Sequence, residues 1–296
     1  MVASTLAGVR VERRLGPSTQ EFARRLLSVM LFGFAPFVVF FNVVHLEFDA
    51  NAGAGVLLGW IALIATAVVA WLATRTRTTR PVGGAVMVGA LQANTGYLGY
   101  PLTALLLGAD RLPQAVAYDL LVGTPALLTL GFGIGAAFGD RAGPDAFSRM
   151  RSYVVRNPLL PVFLIALAAP SSWAPDSLVT ASRVLVFAML PLGFFAVGVF
   201  LAASFPAGVR IPPVSRELVI GVGLRLVFAP LLFLLLALPV IDLPGPYLLL
   251  AAMPCGINGL LVANAFGLDR RLAAAMIAWS TALVLAGVLA VKLAAG

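Results

Sequence analysis

Residues 85–108 read AVMVGALQANTGYLGYPLTALLLG, and no other stretch limits the chain so tightly. The segment is long and apolar enough to cross a bilayer, which takes about 20 such residues. Its middle breaks the rules for a crossing helix, because Asn94, Thr95, Gly96, Gly99 and Pro101 cluster where the hydrocarbon would be deepest. An interior glycine costs a helix roughly 1 kcal/mol, and a proline removes a backbone donor. In lipid a freed backbone group costs several kcal/mol, so such a break survives only when buried in protein or lining a cavity. The expectation is a discontinuous helix whose half-helix ends meet near the middle of the membrane.

A second stretch answers it. Residues 247–267, YLLLAAMPCGINGLLVANAFG, again carry Pro254, Gly256, Asn258 and Gly259 in mid-span. Placing Gly96 on Cys255 brings Gly108 onto Gly267 and Asp110 onto Asp269. Two interrupted spans at corresponding places in two halves point to a transporter's binding site. The plainer account is two helices kinked for packing, since glycine and proline are frequent in membrane helices. An asparagine beside both breaks weighs against it.

Composition sets the class. Of 296 residues 61% are hydrophobic and 11% charged, with a mean hydropathy of +1.01; soluble domains carry about a quarter charged residues. The chain is therefore read as an integral, all-α membrane protein. Its one cysteine, Cys255, excludes an internal disulfide, and its one histidine, His45, argues against a zinc or haem site. No cofactor is expected. The net charge of +8 is read as loop arginine facing the cytoplasm rather than as a nucleic-acid footprint.

Apolar runs at about 26–44, 53–73, the broken stretch, 114–138, 157–169, 178–203, 218–238, the second broken stretch and 272–293 give about nine spans. With the N-terminus inside, alternation puts nearly every arginine in cytoplasmic segments. These are Arg10, Arg13, Arg14, Arg24 and Arg25; Arg75, Arg77 and Arg80; Arg141, Arg149, Arg151 and Arg156; Arg210 and Arg216; and Arg270 and Arg271. The outside holds only Arg111 and Lys292, which places the C-terminus outside. The divisions are a cytoplasmic N-terminal segment 1–25, a membrane repeat 26–138, a cytoplasmic connector 139–156 and a second membrane repeat 157–296. Four spans against five across the basic connector set the repeats in inverted orientation, like a five-plus-five repeat without its first helix.

NTGYLGYPL at 94–102 closely resembles the fourth-helix motif of the auxin efflux carrier family of membrane transporters. VRNPLLP at 155–161, RLVFAPLL at 225–232 and AAMPCGINGLLVANAFGLD at 251–269 fit that family in the same order. The resemblance implies ten spans, a fold related to bile-acid and sodium/proton transporters, and organic anions such as malate, malonate or auxin as substrates. The departure is the first helix, which in the family would end near 11–16. A reading frame that starts late and a member that works with nine spans both account for it.

The chemistry expected of the site follows from its parts. Crossed half-helices aim N-terminal N–H groups and positive dipole ends at one region, which suits a carboxylate. The candidate substrate-binding residues are Gln92, Asn94, Thr95, Gly96, Pro254, Cys255, Gly256, Asn258 and Arg225. Asn94 reads equally as a cap for its own half-helix, and Cys255 as a small packing residue. Arg225 is read as neutralising an anion, as pairing with a broken-helix C-terminus, or as snorkelling to the interface. An ionisable residue inside a span marks function by default, so Asp119 is the candidate for proton coupling, with an outer-interface position as its alternative. Arg183 is read as interfacial and His45 as a loop-edge residue.

No His-Glu-x-x-His, Gly-x-Ser-x-Gly or phosphate loop occurs, so the chain is not expected to be an enzyme. The reading is a multi-pass secondary transporter of the cell membrane for small organic anions. Membrane lipid and a homodimer partner are further expectations. A sodium-coupled bile-acid-type symporter and a membrane ligand sensor stand as alternatives. The mechanism expected is an elevator-like motion, with spans three, four, eight and nine moving, spans one, two, six and seven as scaffold, and span five beside the moving unit.

Overall fold

A computed structural model describes residues 2–46, 49–141, 157–204 and 213–295, with 148, 151 and 155 between them. Glu47, Arg149, Arg156, Arg210, most of the 139–156 connector and the side chain of Lys292 lie outside the described residues. The described chain is helical throughout. Among the described residues, six helices are long and apolar enough to cross a membrane.

In order, α1 is Val2–Leu15, α2 Pro17–Val43, α3 Ala50–Thr74, α4 Arg80–Leu91, α5 residues 95–106 and α6 Ala109–Phe138. Then come α7 Leu159–Ala168, α8 Asp176–Ser204, α9 Arg216–Ala237, α10 Gly245–Ala251, α11 Ile257–Phe266 and α12 Arg270–Ala295. The helix that holds the first apolar run starts at Pro17, ahead of the apolar residues from about 26, because the polar residues 17–25 continue the same helix. The segment before it is α1, which packs on α8 closely enough that a Cβ on Gly8 would strike the Phe195 carbonyl and one on Gly198 the Thr5 carbonyl.

Prolines shape the long helices in a recurrent way. Widened π turns at Met30–Phe34, Thr95–Gly99, Asp119–Gly123 and Leu224–Phe228 each lie just before Pro36, Pro101, Pro125 and Pro230. A proline cannot donate to the carbonyl four residues back, and its ring crowds that oxygen; a wider turn gives the carbonyl room. At Pro125 the stranded carbonyl is that of Leu121, and the Trp60 indole N–H donates to it at 3.0 Å.

Packing divides the helices into two groups. In one, α1 and α2 lie on α8, and α7 packs chiefly on α2. In the other, α4 sits among α3, α6, α9, α11 and α12 and is buried without interruption from Gly83 to Leu91. This arrangement corrects the expected division. Span two (α3) and span seven (α9) join the broken helices, and span five (α7) joins the opposite group. The causes are specific contacts. Trp60 of α3 bonds to α6, Gly59 makes room for Tyr118, and Gly55 makes room for Tyr247, whose ring lies 4.9 Å from that of Tyr118. Phe233 of α9 stacks on Tyr118 at 5.9 Å.

Candidate functional site

The breaks between α4 and α5 and between α10 and α11 meet directly. The Asn94 N–H donates to the Pro254 carbonyl at 2.8 Å, and the Gly256 N–H to the Gln92 carbonyl at 2.7 Å. The result is an isolated antiparallel bridge pairing Ala93 with Cys255. Backbone groups that each break sets free are satisfied by the other break, which is what a low-dielectric interior demands. Gly256 is needed there, because a Cβ would lie 2.8 Å from the Ala93 carbonyl oxygen.

The bridge also corrects the expected register. Its local two-fold equates Ala93 with Cys255, Asn94 with Gly256 and Gly96 with Asn258, rather than Gly96 with Cys255. The alignment on the loops still has a structural basis, since Gly108 and Gly267 both turn the chain with positive φ, 105° and 78°. From Ala93 to Gly108 is fifteen positions and from Cys255 to Gly267 twelve, so the first half is longer by three. Its π turn, absent from α11, takes up part of that length.

Arg225 sits beneath the crossing and is 1% exposed. Its Nη1 donates to the carbonyls of Ala90 and Leu91 at 3.1 Å each, and its Nη2 donates to the Ala251 carbonyl. These are the last carbonyls of α4 and α10. One guanidinium thus satisfies both broken-helix C-termini and opposes both negative dipole ends. Of the three sequence readings for Arg225, pairing with a broken-helix C-terminus describes its geometry, with two helices in place of one.

The N-terminal ends of α5 and α11 face the other way, into a cavity of about 90 Å³. Its lining includes Asn94, Thr95, Gly96, Gly256 and Asn258 from the sequence candidates. Gln92, Pro254, Cys255 and Arg225 are not in it. Gln92 and Pro254 take part through their bridge carbonyls. The Cys255 N–H donates to Ser280 Oγ at 3.0 Å, and its side chain is buried in packing. Asn94 is 5% exposed and makes no capping bond to its helix; its side-chain amide has no hydrogen-bond partner among the described residues.

Asp119 lies in the cavity wall rather than at an outer interface. It is 7% exposed. The Thr95 hydroxyl donates to its Oδ1 and the Tyr100 hydroxyl to its Oδ2, both at 2.6 Å. The π turn at Thr95–Gly99 lets residues five apart share a face, so one helix grips both oxygens. The i, i+4 spacing of an ordinary helix would not have shown Tyr100 as a partner of Thr95. The opposite wall comes from α2, α7 and α8, through Met30, Leu31, Ala35, Val39, Leu159 and Met189, with Asn157 just before α7. Asn157 was quoted only within a motif, and nothing in its spacing marked it as a lining residue. The cavity therefore lies between the two packing groups.

The remaining polar candidates are peripheral. His45 Nε2 is 2.9 Å from the Ala174 carbonyl, joining the end of α2 to the loop before α8. Asn264 accepts from Arg270 at 3.3 Å on an exposed face. Arg183 is half-buried on α8, and its Nε is buried with no hydrogen-bond partner.

Residues 152–290 match the family model described as membrane transport protein. The chain is also 27% identical over 122 residues to an uncharacterized transporter of Methanocaldococcus jannaschii, an alignment covering 41% of this chain and 39% of the relative. The chain therefore matches only about two-fifths of that relative's length. Together with the apolar helices, these likenesses support a multi-pass membrane protein similar to membrane transport proteins.

Proposed function

We propose that the chain is a member of the auxin efflux carrier family of membrane transport proteins, which its partial matches support, and a secondary transporter carrying small carboxylates through the cavity at the crossing. The observation that carries this reading is the separation of helix ends. Both C-termini are occupied by Arg225 on one side, and both N-termini face the cavity on the other. Thr95, Gly96, Ile257 and Asn258 begin α5 and α11, and the first N–H groups of a helix have no acceptor within it. Such ends favour a carboxylate. Asn94 and Asn258 add side-chain donors and acceptors beside it. The volume suits a ligand of a few carbon atoms, since a single water needs roughly 10–15 Å³ of such space.

In this reading the protein spans the membrane nine times in two inverted repeats, with the N-terminus in the cytoplasm and the C-terminus outside, as the arginine distribution supports. Alternating access is a sliding of one packing group against the other. The crossing cannot open, because that would expose four hydrogen-bonded backbone groups to lipid at several kcal/mol each. It travels as one body together with α3, α6, α9 and α12, while α1, α2, α7 and α8 form the scaffold. The test is counterflow in proteoliposomes across a panel of mono- and dicarboxylates. At least one should exchange, and Asn94→Ala should cut that exchange at least tenfold while leaving folding intact, since no protein group depends on the amide. Exchange of no carboxylate would refute the substrate class.

A further inference from the structure

The cavity places a negative side chain where an anion is expected to bind. Among the described residues, Asp119 is the only charged one in its lining, and no basic side chain lines it. Arg225, the cation nearest the crossing, is committed to three backbone carbonyls on the far side. Asp119 takes part in no ion pair among the described residues. A simple carboxylate would therefore enter beside a like charge in a confined space, which is unfavourable.

The partners of Asp119 show what is missing. Thr95 and Tyr100 on α5 are hydroxyls that donate, one to each oxygen. Tyr118 and Thr124 flank Asp119 on its own helix, and Thr124, Tyr97 of α5 and Asn157 before α7 line the same cavity; none of these carries a positive charge. A carboxylate oxygen has two lone pairs, so each Asp119 oxygen keeps room for one more donor. The same cavity is lined by Asn94, nine-tenths buried and with no hydrogen-bond partner for its side-chain amide among the described residues, and by the N-termini of α5 and α11. Within the wall formed by α5, α6 and α11, one part thus suits a cation and the neighbouring part a carboxylate.

We propose that the ligand carries both charges: a small zwitterionic amino acid, its carboxylate at the N-termini of α5 and α11 beside Asn94 and its ammonium on Asp119. This rests on the carboxylate reading above and narrows it. The two hydrogen bonds from Thr95 and Tyr100 hold Asp119 for that ammonium and link the occupied site to the first turns of α5.

The test is binding to the purified full chain in nanodiscs at neutral pH, by calorimetry, with pairs that differ by the amino group: glycine and acetate, L-alanine and propionate, L-aspartate and succinate. The amino acid of at least one pair should bind at least tenfold more tightly than its partner. In Asp119→Asn that preference should shrink by at least tenfold, with the simple acid binding as well as or better than in the wild type. Equal or tighter binding of the simple acids by the wild type would overturn the zwitterion and leave the carboxylate reading standing. If no member of any pair binds, both readings fall. The wild-type comparison decides the matter even if the variant does not fold.

Discussion

At the first break, between α4 and α5, polar side chains do the work: Asn94 faces the cavity, and Thr95 and Tyr100 hold Asp119. At the second, between α10 and α11, close backbone approach dominates: Gly256 lies against Ala93, and the Cys255 N–H is taken by Ser280. The surroundings differ in the same sense. α4 is buried from Gly83 to Leu91, whereas α10 and α11 bury only one side each. A crossing needs two breaks to satisfy its backbone, but only one of them has to carry the chemistry.

The largest effect should come from Arg225, the residue both breaks share. Arg225→Met leaves the carbonyls of Ala90, Leu91 and Ala251 without their donor. At about 1–3 kcal/mol for each stranded group, partly relieved by relaxation, the loss of stability should be about 3–5 kcal/mol. It would appear as a marked fall in unfolding temperature together with loss of exchange. Arg225→Lys should recover only part, since an ammonium cannot span three carbonyls on two helices. A variant as stable as the wild type would show that the helix C-termini do not need this guanidinium.

A smaller effect sharpens the contrast between the breaks. Gly256→Ala drives a Cβ to 2.8 Å from the Ala93 oxygen and should cost about 1–3 kcal/mol as an overpacked contact. Gly96→Ala meets nothing within 4 Å and should stay within about 0.5 kcal/mol of the wild type, losing only some cavity volume. Unfolding temperatures of the two variants side by side check this. Equal destabilisation would mean that the breaks are alike after all.

The breaks themselves were legible in the sequence because glycine, proline and asparagine in mid-membrane are costly enough to need a cause. Asn94, Thr95, Gly96, Gly256 and Asn258 were found in that way, and Asp119 by its charge in an apolar run. The register of the crossing was not, because loop glycines align on one offset and the bridge on another, and the π turn that separates them leaves no mark in a pattern of apolar residues. The role of α3 and α9 was hidden for a related reason. The α3 span looks like any other, and its attachment rests on Trp60 and Gly59, whose partners lie far off in sequence; for α9, Arg225 hinted at the broken helices, but its other two readings left that open.

The central claim is that two groups of helices slide past each other with the crossing intact, and one contact between the groups allows a direct test. Gly193 of α8 faces Tyr97 of α5, where an added Cβ would stand 3.2 Å from the tyrosine Cβ, close to the span of a disulfide. The measurement is exchange by Tyr97→Cys/Gly193→Cys on a Cys255→Ser background, oxidised and then reduced. The account predicts that the oxidised protein does not exchange and that reduction restores the rate of the unlinked double variant. Exchange at the same rate with the disulfide closed would contradict sliding and place alternating access in local gating around a fixed site.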